Sequence, residues 1–79
     1  MSNLEKYINA FTSSFDVDAE TANTLKYQDI SAWDSVGHMG LIAALEDAFD
    51  IMMETDDIID FSSFEKGKAI LSRKYSIEF

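Results

Sequence analysis

The chain has 79 residues, no cysteine and no proline, and carries 15 acidic against 6 basic side chains, a formal charge of −9. That length makes one small domain, residues 1–79, with a modest core. The missing cysteine excludes disulfides, thiolate metal sites and any thioester chemistry on a sulfur of the chain's own. The charge argues against nucleic acid, whose phosphates repel it, and for basic protein partners steered at long range.

The first residues, Met1 to Glu5, show no basic stretch followed by an apolar one, so no secretory signal is expected. The longest apolar run, Leu41 to Leu45, is far too short to span a membrane. The expectations that follow are a cytoplasmic location, no membrane span and a monomer.

Leu4, Tyr7, Ile8, Phe11 and Phe15 recur at three- and four-residue steps and predict a first helix with one apolar stripe. Ser2 and Glu5 form a capping box at its start, and Asn9, Ser13 and Ser14 fall on the water side. From Asp16 to Trp33 no period is visible, which is long for a connection in a small domain. Leu25, Tyr27 and Ile30 are spaced as anchors that would pin this loop to the core; a distorted helix is the alternative. Asp16-Val17-Asp18 looks like the start of a calcium loop, but Thr21 and Tyr27 stand where glycine and glutamate are needed.

A second helix is predicted from Ser35 to Phe49. A short third helix follows, with Thr55 as its cap, Asp56 and Asp57 at the positive end of the dipole, and Ile58, Ile59 and Phe61 inward. Asp56, Asp57 and Asp60 would hold a cation loosely at best, and Met52-Met53 suits either loop packing or a soft partner surface. Ser62 with Glu65 reads as a second capping box, opening a last helix to about Tyr75. Its inner stripe is Phe64, Gly67, Leu71 and Tyr75 with Ile70 beside it, and Gly67 marks a close approach to a neighbour. Lys66, Lys68, Arg73 and Lys74 gather the positive charge here. Four helices, one of them short, and no strand pattern predict an all-α four-helix bundle with a long first loop.

On the second helix, His38, Leu41, Ile42, Leu45, Ala48 and Phe49 share one arc, the expected core side. Val36, Met39, Gly40, Ala43 and Asp47 fall opposite, with Glu46 and Asp50 at the edges. Val36 and Met39 are sizeable and apolar where a soluble helix is usually polar, which points to a docking surface beside Ser35.

Asp34 and Ser35 both suit the N-cap of this helix. A serine there is also placed for a phosphate-linked group, because backbone N–H groups and the dipole favour an anion. The segment Trp33 to Ile51, WDSVGHMGLIAALEDAFDI, resembles the prosthetic-group segment of acyl carrier proteins. The outline of long loop, amphipathic helix and short acidic helix is similar as well. The resemblance implies that Ser35 takes a 4'-phosphopantetheine arm from coenzyme A through a phosphopantetheinyl transferase, with Asp34 orienting the serine and meeting the transferase. It implies that Val36, Met39, Ala43, Glu46 and Asp47 meet acyl-transferring or condensing enzymes bearing basic docking patches. It implies an acyl cavity bordered by His38, Ile42, Leu45 and Phe49, and a protein that carries thioesters and catalyses nothing itself. For His38 a satisfied, half-buried histidine is the plainer reading. The chain departs from the family pattern at Gly37, Gly40 and Ala48, with fewer acids than usual there, which leaves the general fatty-acid enzymes and a dedicated set of partners as equal alternatives.

A Ser35–His38 nucleophile pair is disfavoured, since both lie along one helix and no elbow glycines surround the serine. Two further readings remain: a carrier of aminoacyl groups with the same fold, and an unmodified acidic helical module that binds a basic partner.

Overall fold

Ser2 starts the first helix as its pattern predicts. Its hydroxyl accepts from the Glu5 N–H at 3.1 Å, and the Glu5 carboxylate accepts from the Ser2 N–H at 3.0 Å. In the computed structural model, which describes residues 1–79, this helix, α1, spans Asn3–Phe15 and buries Tyr7, Ala10, Phe11 and Phe15. Leu4 and Ile8 lie half-buried at the edge of the stripe. Asp16 ends the helix in the left-handed region, at φ 54°. Aspartate tolerates that conformation better than most residues because its side chain bonds locally.

The molecule is all-α, but it has five helices rather than four. The stretch from Asp16 to Trp33 contains an unpredicted single turn, α2, at Ala19–Ala22. Asp18 caps it by accepting from the Thr21 N–H at 2.8 Å, and Ala22 is buried against the core. Four residues are too few for a period to show in the sequence. The rest of the connection is held at defined points. Leu25 is buried and Ile30 half-buried, while Tyr27 stays at the surface. Two backbone hydrogen bonds join the loop to the segment before the last helix: Tyr27 N–H to Ser62 C=O at 2.8 Å, and Phe64 N–H to Leu25 C=O at 2.9 Å.

Helix α3 spans Ser35–Phe49, as predicted, and buries Leu41, Ile42 and Leu45 fully. His38, Ala48 and Phe49 are half-buried. Helix α4 is Thr55–Asp60 and α5 is Phe64–Lys74. Both predicted caps shift. Thr55 is the first residue of α4, and the cap position belongs to Glu54, whose side chain makes no capping bond. At α5 the cap is Ser63, accepting from the Lys66 N–H at 3.0 Å, not Ser62. Ser62 is drawn into the extended pairing with Tyr27, which moves the helix start by one residue. Ile59 is 72% exposed, not inward. A one-and-a-half-turn helix can bury only one side, and Ile58 and Phe61 occupy it.

The core is a stack of aromatic rings drawn from distant parts of the chain. Phe11 meets Tyr7 at 5.1 Å, Phe64 at 5.0 Å and Trp33 at 5.6 Å between centroids, and Phe15 stacks on Trp33 at 5.1 Å. Edge and offset geometries of this kind add to the area each ring buries. Trp33 is fully buried, a core role the sequence pattern did not signal. Tyr7 donates to the Phe64 carbonyl at 2.6 Å, and its burial pushes the hydroxyl's pKa up. Gly67 is where α5 meets the core. A Cβ there would lie 2.1 Å from Phe61 Cζ, so the close approach expected of this glycine is to the Phe61 ring. Ile77 returns to the core after α5, and Phe79 packs near Tyr7 at 5.3 Å. No helix is long and apolar enough to cross a membrane.

Candidate functional site

Asp34 sets the N-terminus of α3. Its carboxylate accepts from the Gly37 N–H at 2.8 Å, and its carbonyl accepts from the His38 N–H at 2.8 Å. Asp34 is therefore the cap and Ser35 the first helical residue, with its side chain on an exposed part of the surface. The N–H groups of Ser35 and Val36 have no partner within the chain. Two free donors and the positive dipole end thus surround an accessible hydroxyl. Gly37 is required by the approach of the loop, since a Cβ would lie 1.9 Å from the Ala32 carbonyl oxygen. An acidic side chain at that position is excluded by the backbone that leads into the site.

A groove of about 330 Å³ opens beside Ser35. Tyr27, His38, Met39, Ile58, Ile59 and Phe61 form its walls, with Ser35 and Ser62 at the rim. It is the most apolar of the surface hollows by the character of its walls, and it lies between the start of α3 and α4. Val36 at 82% and Met39 at 53% exposure stand next to it, and Ile59 stands on the far wall. Three exposed apolar side chains around one hydroxyl form a patch rather than scattered singles.

His38 lines this groove where α3 faces α4. Trp33 Nε1–H can only donate, so His38 Nδ1 accepts from it, at 2.9 Å. The imidazole proton then sits on Nε2, which donates to the Ile58 carbonyl at 2.8 Å. The ring also lies parallel to Trp33, 15° between planes, and edge-on to Tyr27 and Phe61. Both ring nitrogens are thereby engaged, and neither is bonded to Ser35.

The other predicted site residues divide. Ala43 and Asp47 lie exposed on the same side of α3 as the patch. Glu46 turns inward: its Oε2 accepts from the Met53 N–H at 2.8 Å and fixes the segment before α4. Of the four residues expected around a cavity, only His38 lines the groove. Ile42 and Leu45 are sealed in the core, and Phe49 packs toward Phe79 at 6.3 Å. The groove instead uses Tyr27, Ile58, Ile59 and Phe61, brought in by the loop pairing and by α4. Nothing local in the sequence joins those segments. Met52 and Met53 split, the first 86% exposed and the second buried.

Asp57 is buried within α4 and engaged on both oxygens. Oδ1 accepts from Lys74 Nζ at 2.7 Å and Oδ2 from the Tyr75 hydroxyl at 2.7 Å. The Lys74 bond, then the Tyr75 bond, hold its carboxyl below the ordinary value of 3.8. The same contact raises the Lys74 ammonium. Tyr75 also accepts from the Glu54 N–H at 2.8 Å, supplying the cap that α4 lacks. With Asp57 committed in this way, Asp56, Asp57 and Asp60 do not form a cation cage, and no group of three metal-ligating side chains converges anywhere in the molecule. Comparison of the chain with protein-family models, with curated proteins and with solved structures finds no match.

Proposed function

We propose that the protein is an acyl carrier protein, with Ser35 as the attachment point of a 4'-phosphopantetheine arm. One observation carries the reading: an accessible serine hydroxyl at the first residue of the longest helix, beside an apolar groove and an exposed apolar patch. The surroundings suit the group. The unpartnered Ser35 and Val36 N–H groups can donate to a phosphodiester, and the helix dipole favours its charge.

In the loading step the Ser35 hydroxyl gives its proton to the transferase and displaces 3',5'-adenosine diphosphate from coenzyme A, so one P–O bond forms as another breaks. The thiol that the arm supplies when bound holds an acyl group as a thioester. This chain's own part is to present that group. Asp34 fixes the helix start through Gly37, and Val36 and Met39 offer apolar contact to a partner's surface. Ala43 and Asp47 extend this face, and the acidic balance of the chain steers partners with basic patches. Tethering raises the concentration of the bound intermediate at each partner enzyme. The protein itself is a carrier and not an enzyme.

The test is intact-mass measurement after incubation with coenzyme A and a promiscuous phosphopantetheinyl transferase. The chain gains one pantetheine phosphate, and Ser35→Ala gains none. An unmodified wild-type chain sinks the proposal and leaves an acidic interaction module as the reading. An aminoacyl carrier would pass the same test; the apolar walls of the groove favour an acyl cargo.

A further inference from the structure

The geometry points to His38 as the specificity-determining residue of the carrier, closing the seam between α3 and α4 so that only short acyl groups are sheltered. This rests on the carrier reading of Ser35. An acyl chain folded back from an arm on Ser35 meets the groove of Tyr27, Met39, Ile58, Ile59 and Phe61 first. To go deeper, toward Ile42 and Leu45, it must pass between the α3 and α4 backbones. The hydrogen bond from His38 Nε2–H to the Ile58 carbonyl crosses that seam at 2.8 Å.

The closure is locked from behind. Trp33 is fully buried, and its only hydrogen-bond partner is His38 Nδ1. Swinging the imidazole aside therefore breaks both bonds and strands the buried indole N–H without a partner. Tyr27 and Phe61 hold the ring from two further sides, with centroids at 5.4 Å and 6.0 Å. A lone apolar residue at position 38 would yield to a long chain by rotating. A doubly bonded, aromatic-packed imidazole does not. The groove thus has a fixed wall where α3 faces α4, and its shelter is confined to about 330 Å³ that is open on its outer side.

The experiment loads the full chain, through the transferase, with pantetheine or with butyryl, octanoyl or dodecanoyl pantetheine from the matching coenzyme A. Mass confirms each product, and melting temperature is read for each relative to the free-thiol form. In the wild type, butyryl raises the melting temperature and the rise levels off by octanoyl, so that dodecanoyl adds nothing. In His38→Ala, dodecanoyl gives a further rise of about 5 °C, the size that burying one or two more methylenes produces in a domain this small. His38→Gln, whose amide can accept from Trp33 and donate to Ile58, keeps the wild-type plateau. A wild-type melting temperature that keeps climbing to dodecanoyl overturns the proposal, as does His38→Ala with an unchanged plateau. Should His38→Ala fail to melt cooperatively, His38→Leu, which fills the position without either hydrogen bond, takes its place, and an unchanged plateau in that variant overturns the proposal. Absence of any mass gain at Ser35 is a different failure, because it removes the carrier reading and this proposal with it.

Discussion

The α1–α5 core and the α3–α4 seam are held by different means. The core is ring against ring: Tyr7, Phe11, Phe15, Trp33, Phe61 and Phe64 form one continuous cluster, with Tyr7 to the Phe64 carbonyl as a hydrogen bond inside it. The seam is held by single polar links, His38 to Ile58 and Glu46 to Met53, and α4 is tied in the same way to the end of α5 by Asp57 with Lys74 and Tyr75. The difference follows from size. Helix α4 has six residues, and one of its two large apolar side chains, Ile59, faces solvent. It cannot bury enough surface to hold itself in place, so directional bonds do it. A region fixed by a few hydrogen bonds opens more readily than one fixed by packing, and the groove lies in that region.

The core side of this contrast gives the largest expected effect. Phe11→Ala should lower stability by about 3–5 kcal/mol, the usual cost of deleting a fully buried ring. Chemical denaturation should show the midpoint fall, and a loss under 1 kcal/mol would mean that the ring cluster is not the main support. Gly67→Ala comes next. Its methyl would lie 2.1 Å from Phe61 Cζ, and Phe61 has no room to withdraw between Tyr7, Phe11 and His38. A cost of about 1–3 kcal/mol is expected from overpacking, against a gain of about 1 kcal/mol if the position were open helix surface. The sign of the change alone decides whether α5 sits this close to the ring.

The attachment of α4 to α5 should respond to pH where the aromatic core does not. Asp57 has its folded-state pKa depressed below 3.8, so its contribution is present above the unfolded value and is lost as pH falls through the folded one. Lys74 is raised above 10.5, so its share is present below that value and lost as pH rises through the raised one. The link is therefore intact across neutral pH and weakens in acid below about 3.8 and in strong base. Asp57→Asn should lower the melting temperature at pH 7 and flatten its fall between pH 5 and pH 2 relative to the wild type. Parallel acid profiles for the two proteins would show that other carboxylates govern the transition.

The same contrast explains what could be read from the residues. The stripe of α1, the span of α3 and the burial of Leu41, Ile42 and Leu45 follow from a repeat near 3.6, which a single segment displays by itself. The exposed side of Ser35, Val36 and Met39 follows from the same wheel. The start of α5 was read one residue early, at Ser62, because the pairing of Ser62 with Tyr27 that moves the cap to Ser63 is not visible in the local sequence. The walls of the groove were not legible in advance. They come from Tyr27, from α3 and from the Ile58–Ser62 stretch, and the bond that joins them links His38 to a carbonyl twenty residues away. Trp33 was hidden for a related reason: its burial depends on α1 rings far from it in the chain, and the flanking residues Ala32 and Asp34 are exposed.

Gly40 gives the smallest expected effect and the finest test of the boundary between scaffold and the proposed docking face. It lies inside α3, where glycine is disfavoured, and a Cβ there would meet nothing within 4 Å. Gly37, three residues earlier, is the opposite case, pressed against the Ala32 carbonyl. Gly40→Ala should therefore raise stability by about 0.5–1 kcal/mol, through the backbone freedom it removes from the unfolded chain. It should leave the mass gain at Ser35 unchanged, because the methyl points away from the hydroxyl's helical turn into open solvent. A stabilised variant that still loads but passes its cargo poorly to a partner enzyme would place the contact surface across Gly40. If the variant instead loses stability, the helix is not as open on that face as its geometry indicates, and the docking surface must begin closer to Val36 and Met39.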